Sequence, residues 1–197
     1  MKISSLVELD LDNNSINEIP EEIINLKELI FLSLDGNKIS IIPPFIEKLQ
    51  KLLFLDLNSN QIKEIPESII HLQNLQKLTL SSNKIEIISP SIFKIKELVQ
   101  LNLSQNDIKE IPANLGDSQK LEALILAMNE IEFLPSSIGE LTKLSDLALD
   151  FNKLQEYPVE LSKLKGLNRL YMLAMHSNPL ENMPETKKMG LVELLNS

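Results

Sequence analysis

The sequence predicts an α/β solenoid, a curved stack of short coils with a parallel sheet along its concave side. An apolar frame recurs along the chain, as in Leu55-x-Leu57 before Asn60 and Ile65-Pro66 after it. The asparagine of this frame returns in six steps of 23 residues and one of 26, at Asn14, Asn37, Asn60, Asn83, Asn106, Asn129, Asn152 and Asn178. A period this regular is the signature of stacked units that share one continuous core.

Each coil is predicted to contain one short strand. The segment 98–103 alternates apolar and polar residues, as a strand with one buried face does. Parallel strands cannot be joined by a tight turn, so the rest of each coil must return the chain on the opposite, convex side. Proline at positions such as Pro66 and Pro112 suits an irregular or 3₁₀ segment there, because it fixes φ and has no N–H to donate. We therefore expect about eight strands.

The recurring asparagines are predicted to be structural. An asparagine side chain offers two N–H donors and one carbonyl acceptor, so at a tight bend it can satisfy backbone groups of its own coil and of the next coil. We interpret all eight as a buried ladder that supports the fold, and we do not expect them to bind a ligand.

The composition limits the classes of function. Of 197 residues, 43% are hydrophobic and 24% charged, which fits a folded chain, and the net charge is −9. An acidic chain lacks the basic surface that nucleic acids and anionic membranes require. No window approaches 18 consecutive apolar residues, and there is no cysteine. We expect no transmembrane segment and a cytoplasmic location; export from a bacterium, with the leader removed, is the alternative.

The sequence contains few combinations of residues that could support catalysis. The two histidines, His71 and His176, lie 105 positions apart and are expected on opposite faces. The five glycines form no phosphate-binding loop. We therefore expect no catalytic residue, no metal site and no cofactor.

The frame resembles that of the leucine-rich repeat proteins over essentially the whole chain. The 23-residue unit with Ile-Pro-x-x-Ile-x-x-Leu, as at residues 65–72, is similar to the Ras-associated subgroup of that family. The resemblance implies a monomeric scaffold that binds a protein on its concave sheet without catalysis, with a small GTPase or its regulator as candidate partner. The alternative is a recognition or regulatory segment of a larger protein, or an exported bacterial repeat protein that binds host molecules.

The resemblance also implies how the stack ends. We expect residues 1–184 to form the solenoid and residues 185–197 to form a capping helix, which would bury Leu191, Leu194 and Leu195. Near the N-terminus, Ile3 occupies the slot that Leu26 fills in the next coil. This position indicates that the chain begins inside a coil. Either the domain is cut from a longer protein, which we favour, or the first coil is frayed.

Three coils depart from the frame. Ser89 replaces the usual proline and Pro90 follows it, so the convex turn should differ there. Ser118 replaces a core leucine and should weaken one contact. Three extra residues precede Asn178 and should bulge or tilt the last strand.

One candidate site is an acidic–aromatic patch near the N-terminal end of the concave face. It combines two aromatic and four acidic outward positions, Phe31, Phe54, Asp10, Asp12, Asp35 and Asp56. Aromatic side chains are enriched at interface centres, and the clustered carboxylates favour a basic protein partner. Two other interpretations stay open: the carboxylates satisfy neighbouring turn N–H groups, or they bind a divalent cation.

A second candidate site is apolar and lies further along the sheet. Outward positions of the sixth repeat are apolar, including Ile125 and the following Met128, and Phe151 fills the Met128 slot in the next coil. Contiguous exposed apolar surface favours partner contact. The alternative is that Met128 and Phe151 fold over the edge and pack on neighbouring coils.

Overall fold

The expected solenoid is confirmed by a computed structural model that describes residues 3–156, 159–165 and 172–179. In these ranges one parallel sheet contains eight strands in sequence order. Each strand is three residues long: β1 Glu8–Asp10, β2 Phe31–Ser33, β3 Phe54–Asp56, β4 Lys77–Thr79, β5 Gln100–Asn102, β6 Ala123–Ile125, β7 Asp146–Ala148 and β8 Met172–Ala174. Every coil therefore stacks directly on the one before it.

The register of the sheet follows the sequence period. Leu55 pairs with Leu78 across 23 positions, and Leu147 pairs with Leu173 across 26. The expected bulge is not found in β8, because all three of its residues pair with β7 in register. The three extra residues therefore lie between Asn152 and β8, where a 3₁₀ turn at Val159–Leu161 continues into a short α-helix, α1, at Ser162–Lys165.

The convex side consists of 3₁₀ turns. Six of them are five residues long: Glu21–Asn25, Pro44–Lys48, Glu67–His71, Pro90–Lys94, Ala113–Asp117 and Ser136–Glu140. A proline precedes five of these six turns, whereas Ser89 precedes the turn at Pro90 and its Oγ accepts a hydrogen bond from the Ser91 N–H at 3.3 Å. Serine thus supplies a side-chain cap where proline supplies only a fixed φ.

Ser118 is accommodated by a hydrogen bond in place of the apolar contact. It is buried, and its hydroxyl donates to the backbone carbonyl of Phe93 in the preceding coil at 3.1 Å. A buried hydroxyl with a partner avoids the cost of an unsatisfied polar group.

The asparagine ladder joins each coil to the one before it. Asn106 donates to the Leu80 carbonyl of the preceding coil at 2.9 Å and to the Leu103 carbonyl of its own coil at 3.0 Å. Its Oδ1 accepts from the Ile85 N–H of the preceding coil at 2.9 Å. The same pattern recurs at Asn37, Asn60, Asn83, Asn129, Asn152 and Asn178.

The direction of the ladder differs from the sequence expectation. Each asparagine reaches back to the preceding coil, whereas we expected it to reach the next one. Asn14 belongs to the first coil, is exposed, and donates to the Leu11 and Asp12 carbonyls of its own coil.

A left-handed residue precedes each ladder asparagine. Gly36 occupies this slot with φ of 67°, and a Cβ there would lie 2.6 Å from Oδ1 of Asn13. In the other coils the slot holds a residue with a side chain, at φ between 51° and 58°: Asn13, Ser59, Ser82, Gln105, Met128, Phe151 and Ser177. Small or polar residues tolerate this conformation better than bulky apolar ones.

The predicted capping helix at 185–197, with Leu191, Leu194 and Leu195, lies outside the described residues. In the part of the chain that the structure describes, no helix combines the length and the apolarity needed to cross a bilayer.

Candidate functional site

The two phenylalanines of the acidic–aromatic patch form one stack on the concave face. Phe31 and Phe54 pair in register on β2 and β3. Their ring centroids are 4.5 Å apart and the ring planes differ by 10°. Both side chains are half-buried, so each ring covers part of its neighbour and leaves the rest open to solvent. The stack gives the concave face a rigid aromatic anchor.

Lys77 extends this stack and was not predicted as a site residue. It pairs with Phe54 in register, and its Nζ lies 5.1 Å from the centroid of the Phe54 ring. A cation at this distance is attracted by the face of the ring. The signal was present in the sequence, since Phe31, Phe54 and Lys77 occupy one slot in three successive coils.

Several carboxylates of the patch hold backbone groups. Asp12 Oδ1 accepts from the Asp35 N–H at 2.8 Å and from the Ser33 hydroxyl at 2.5 Å. Asp10 Oδ1 accepts from the Asp12 N–H at 3.0 Å, and Asp56 Oδ1 accepts from the Asn58 N–H at 2.9 Å. One oxygen of each of these carboxylates therefore stabilises the fold. This agrees with the alternative that the carboxylates satisfy neighbouring turn N–H groups.

An alternation along the sheet accounts for these bonds. The last strand position alternates between Asp or Asn and a hydroxyl residue in the first five coils, at Asp10, Ser33, Asp56, Thr79 and Asn102. Asn102 Oδ1 accepts from the Ser104 N–H at 3.0 Å, as the aspartates do in their coils. The acidic residues of the patch are thus partly a consequence of a two-coil structural pattern.

The negative charge of the patch is only partly balanced. Burial raises the pKa of Asp56 against the hydrogen bond from the Asn58 N–H, and the Asp35 and Asp12 carboxylates raise this pKa further. Oδ1 of Asp35 is buried, and no hydrogen-bond partner reaches it from the described residues. Three carboxylates on consecutive coils therefore lie close enough to repel one another.

The patch lacks the arrangement of a metal site. Within the three described ranges, no group of three or more His, Cys, Asp or Glu side chains is placed to hold a metal ion.

His176, which follows β8, contacts the Asp150 carboxylate through its ring, and its backbone N–H donates to Asp150 Oδ1 at 3.1 Å.

Replacing Asp56 with asparagine is expected to stabilise the protein at neutral pH. Asparagine keeps an acceptor for the Asn58 N–H and removes a half-buried charge. Because the folded-state pKa of Asp56 lies above its ordinary value of 3.8, the wild type loses stability as pH rises through the interval between the two. Thermal unfolding should show a higher Tm for Asp56→Asn at pH 7, with the difference closing below pH 3.8.

The matched control is Asp107→Asn, which removes an exposed carboxylate elsewhere on the surface. Its Tm should follow that of the wild type at both pH values. A lower Tm for Asp56→Asn at pH 7 would contradict the prediction, since it would mean that the ionised carboxylate stabilises the fold.

The second candidate site contains two apolar side chains in the left-handed slot. Met128 has φ of 58° and Phe151 has φ of 54°, and they are 47% and 48% exposed. Bulky residues rarely adopt this conformation, and such strain is found most often where function requires it. Ile125 is half-buried on β6, in the coil of Met128.

One contact supports the alternative that Phe151 packs along the edge. The rings of Phe151 and His176 meet edge-to-face with centroids 5.1 Å apart. About half of the Phe151 surface nevertheless stays open to solvent. A partner role for Ile125, Met128 and Phe151 therefore stays a prediction.

Comparison with known families gives the same repeat. Leucine-rich repeat models match residues 40–85, 50–108 and 73–131, and a further model of that repeat matches residues 5–26 and 28–49. A search of curated proteins found no match. These matches identify the leucine-rich repeat, but they do not assign the chain to the Ras-associated subgroup.

Solved structures share the fold. The LRR protein LIC12759 of Leptospira interrogans is 32% identical, with a TM-score of 0.75, over 98% of this chain and 54% of its own. Internalin C2 of Listeria monocytogenes is 27% identical, with a TM-score of 0.75, over 86% of this chain and 71% of its own. This chain thus spans about half the length of the Leptospira protein.

A plant ectodomain is also similar. It belongs to the membrane receptor kinase GASSHO1/SCHENGEN3 of Arabidopsis thaliana, in complex with CASPARIAN STRIP INTEGRITY FACTOR 2. The two chains are 29% identical, with a TM-score of 0.69, over 89% of this chain and 24% of the plant chain.

Proposed function

Since the chain belongs to the leucine-rich repeat family, we propose that it is a non-catalytic protein-binding domain that holds a partner protein on the concave face of its sheet. The similar plant ectodomain was solved with a bound partner, which supports a binding role for this repeat. The proposal extends that role to this chain and places it at the acidic–aromatic patch.

The observation that carries the proposal is the stack of Phe31 on Phe54 beside carboxylates whose charge is only partly balanced. A half-open aromatic pair is a suitable centre for an interface because it loses little conformational freedom on binding. The neighbouring carboxylates at Asp35 and Asp56 would be stabilised by an incoming cation. We therefore propose a partner that presents an apolar side chain flanked by lysine or arginine.

As this partner we propose a small GTPase or its regulator, bound by a monomer in the cytoplasm. The proposal is supported by the resemblance of the 23-residue consensus to the Ras-associated repeats. In this version of the proposal, a basic surface of the GTPase or regulator meets the acidic–aromatic patch, and Ile125, Met128 and Phe151 provide a second contact further along the sheet.

A second candidate is a host-binding role outside a bacterial cell, or a recognition role within a longer protein. The similarity to repeat proteins of two bacteria, Leptospira and Listeria, supports the first of these roles. The match covers 54% of the Leptospira chain, which supports the second. Both candidates use the concave face, and they differ in where the partner is found.

The experiment that tests concave binding is site-specific photo-crosslinking. A photoreactive residue replaces Gln100, which is half-buried at the centre of the concave sheet, or Lys94, which is exposed on a convex turn. Each protein is irradiated in extract of the source cell and, separately, in medium or host extract. We expect mass spectrometry to identify one dominant protein crosslinked from position 100 only. Equal crosslinking from both positions would refute concave binding.

Salt dependence gives a prediction about the acidic residues. If Asp10, Asp12, Asp35 and Asp56 attract a basic partner, raising the ionic strength from about 0.05 to 0.5 M should slow association at least about tenfold. Dissociation should change much less. Stopped-flow or biosensor kinetics measure both rates, and an association rate independent of salt would exclude electrostatic steering.

A further inference from the structure

A second exposed surface runs along the side of the stack, away from the concave face. It occupies the slot two residues before each proline position. Acidic and large apolar residues alternate strictly in this slot over seven coils: Glu18, Ile41, Glu64, Ile87, Glu110, Phe133 and Glu156. We call this set the lateral column.

The apolar members of the lateral column are the most exposed large hydrophobic side chains of the described residues. Ile41 is 66% exposed, Ile87 is 73% exposed and Phe133 is 52% exposed. A single exposed apolar residue needs no explanation, but three in one slot at every second coil form a row. The column is also regular in its backbone, because Glu64 and Ile87 form a parallel bridge.

Two acidic members of the lateral column are open to solvent. Glu64 and Glu110 are exposed, and neither forms an ion pair within the described ranges. The neighbouring column, one residue earlier, alternates in sign at Lys63, Glu86, Lys109 and Glu132 and so carries no net charge. The negative charge therefore belongs to the lateral column itself.

Shallow grooves border the column and continue into one another. One groove is lined by Ile87, Pro90 and Glu110, and the next by Glu110, Phe133 and Pro135. A partner side chain that enters one groove would contact one apolar member of the column, Ile87 or Phe133, together with Glu110.

We propose that the lateral column binds a basic amphipathic α-helix of a partner protein. Coils joined by a bridge are about 4.8 Å apart, so apolar members lie about 10 Å from one another. One heptad of α-helix advances about 10.5 Å and returns a side chain to the same face. Residues three or four positions after each apolar side chain of that helix lie halfway between, where lysine or arginine would face Glu64 and Glu110.

Other extended ligands match the column less well. A polyproline II helix repeats every three residues, about 9.3 Å, but places no side chain opposite the intervening glutamate. A β-strand returns to one face every two residues, about 6.7 Å, which fits neither spacing. A second copy of this chain would oppose Glu64 and Glu110 with further glutamates, and its net charge is −9.

The test uses the full-length protein labelled with ¹⁵N and three synthetic probes. The first is an alanine-rich peptide of about three heptads with leucine at one heptad position and lysine four residues later. The second is the same peptide with one central alanine replaced by proline, which breaks the helix. The third is a polyproline peptide with leucine and lysine. Amide shifts of the column, followed during titration, report binding.

We expect saturable shifts at Ile41, Ile87 and Phe133 with the first probe, and none with the proline-broken probe. Ile87→Glu should weaken binding at least about tenfold, as the loss of a central anchor does. Glu64→Gln combined with Glu110→Gln should weaken it similarly and remove its salt dependence. The concave variant Phe31→Ala/Phe54→Ala should bind this probe as the wild type does.

Several results would overturn the proposal. They are the absence of shifts at the column with the helical probe, equal binding of the proline-broken probe, or tighter binding of the polyproline probe. A monomer–dimer equilibrium in analytical ultracentrifugation that Ile87→Glu abolishes would show that the column pairs with a second copy. Because Ile87 is 73% exposed, its substitution should leave Tm unchanged, which separates lost binding from lost folding.

Discussion

Replacing Asn106 with alanine should lower the free energy of unfolding by about 2–4 kcal/mol. The side chain is only 7% exposed, and it satisfies the Leu80 carbonyl and the Ile85 N–H of the preceding coil. Alanine can satisfy neither group, and each buried polar group without a partner costs about 1–3 kcal/mol. Urea or thermal unfolding, followed by circular dichroism, measures the loss.

The matched control is Asn14→Ala in the first coil. Asn14 is exposed, and its amide donates only within its own coil, to Leu11 and Asp12. Water can replace both bonds, so the expected loss is below about 1 kcal/mol. Equal losses for Asn14→Ala and Asn106→Ala would contradict the ladder, because they would show that the bonds between coils add nothing to those within a coil.

Hydrogen exchange should show where the Asn106 variant weakens. In a one-dimensional stack, each coil is stabilised by its two interfaces, so damage at one interface spreads to its neighbours first. Amides of β4 and β5 flank the lost bridge and should exchange faster, whereas those of β1 and β2 should change least. This pattern distinguishes a local ladder defect from uniform destabilisation.

The fold could be predicted because the frame repeats residue types whose burial is obligatory. Leu55, Leu78 and Leu101 pair in register and are fully buried, as alternation within each coil requires. The period alone fixes this register, since each step of 23 residues returns a leucine to the same strand position. Proline at the start of most convex turns was similarly predictable from its fixed φ.

The direction of the asparagine bonds could not be predicted from the period. The coils before and after Asn60 carry the same frame of residues, so the sequence does not show which of the two coils the Asn60 side chain contacts. The answer depends on chain geometry: Leu34 O and Ile39 N, both of the preceding coil, are the groups that meet its amide. The residue type indicates that Asn60 bridges two coils, and only the three-dimensional structure shows which neighbouring coil it contacts.

The sequence was less informative about the candidate site. It placed Phe31, Phe54 and Lys77 in one slot of three successive coils, but it did not show that the flexible Lys77 side chain would lie over the Phe54 ring. The sequence also does not show which aspartate carboxylates accept hydrogen bonds from the backbone and which stay available to a partner protein. Asp12 binds the Asp35 N–H, whereas Oδ1 of Asp35 has no partner among the described residues, although both occupy the same slot.

Replacing Phe31 and Phe54 together with alanine should weaken binding of the crosslinked partner by several kcal/mol, about a hundredfold or more in Kd. The stacked pair is the large apolar feature of the acidic–aromatic patch, and its removal takes both the anchor and the surface that supports Lys77. Truncated aromatic anchors commonly cost about 2 kcal/mol or more each at interface centres. Isothermal titration with the purified partner measures the change.

Stability must be measured on the same variant. Both rings are half-buried and stacked, so the double substitution should lower the free energy of unfolding by about 1–3 kcal/mol. Leu32 and Leu55, which carry the core of the same strands, are untouched and fully buried, so the coils should remain folded. A cooperative unfolding transition at a slightly lower Tm would confirm that lost binding is not lost structure.

Phe133→Ala is the matched control for chemistry. Phe133 is 52% exposed and belongs to the lateral column, so its truncation removes an aromatic ring from another surface. The partner crosslinked from position 100 should bind this variant as tightly as the wild type. If Phe133→Ala weakened binding and the double variant had no effect, the partner would occupy the lateral column. The stack of Phe31 and Phe54 would then serve only to hold β2 and β3 together, with Lys77 completing it.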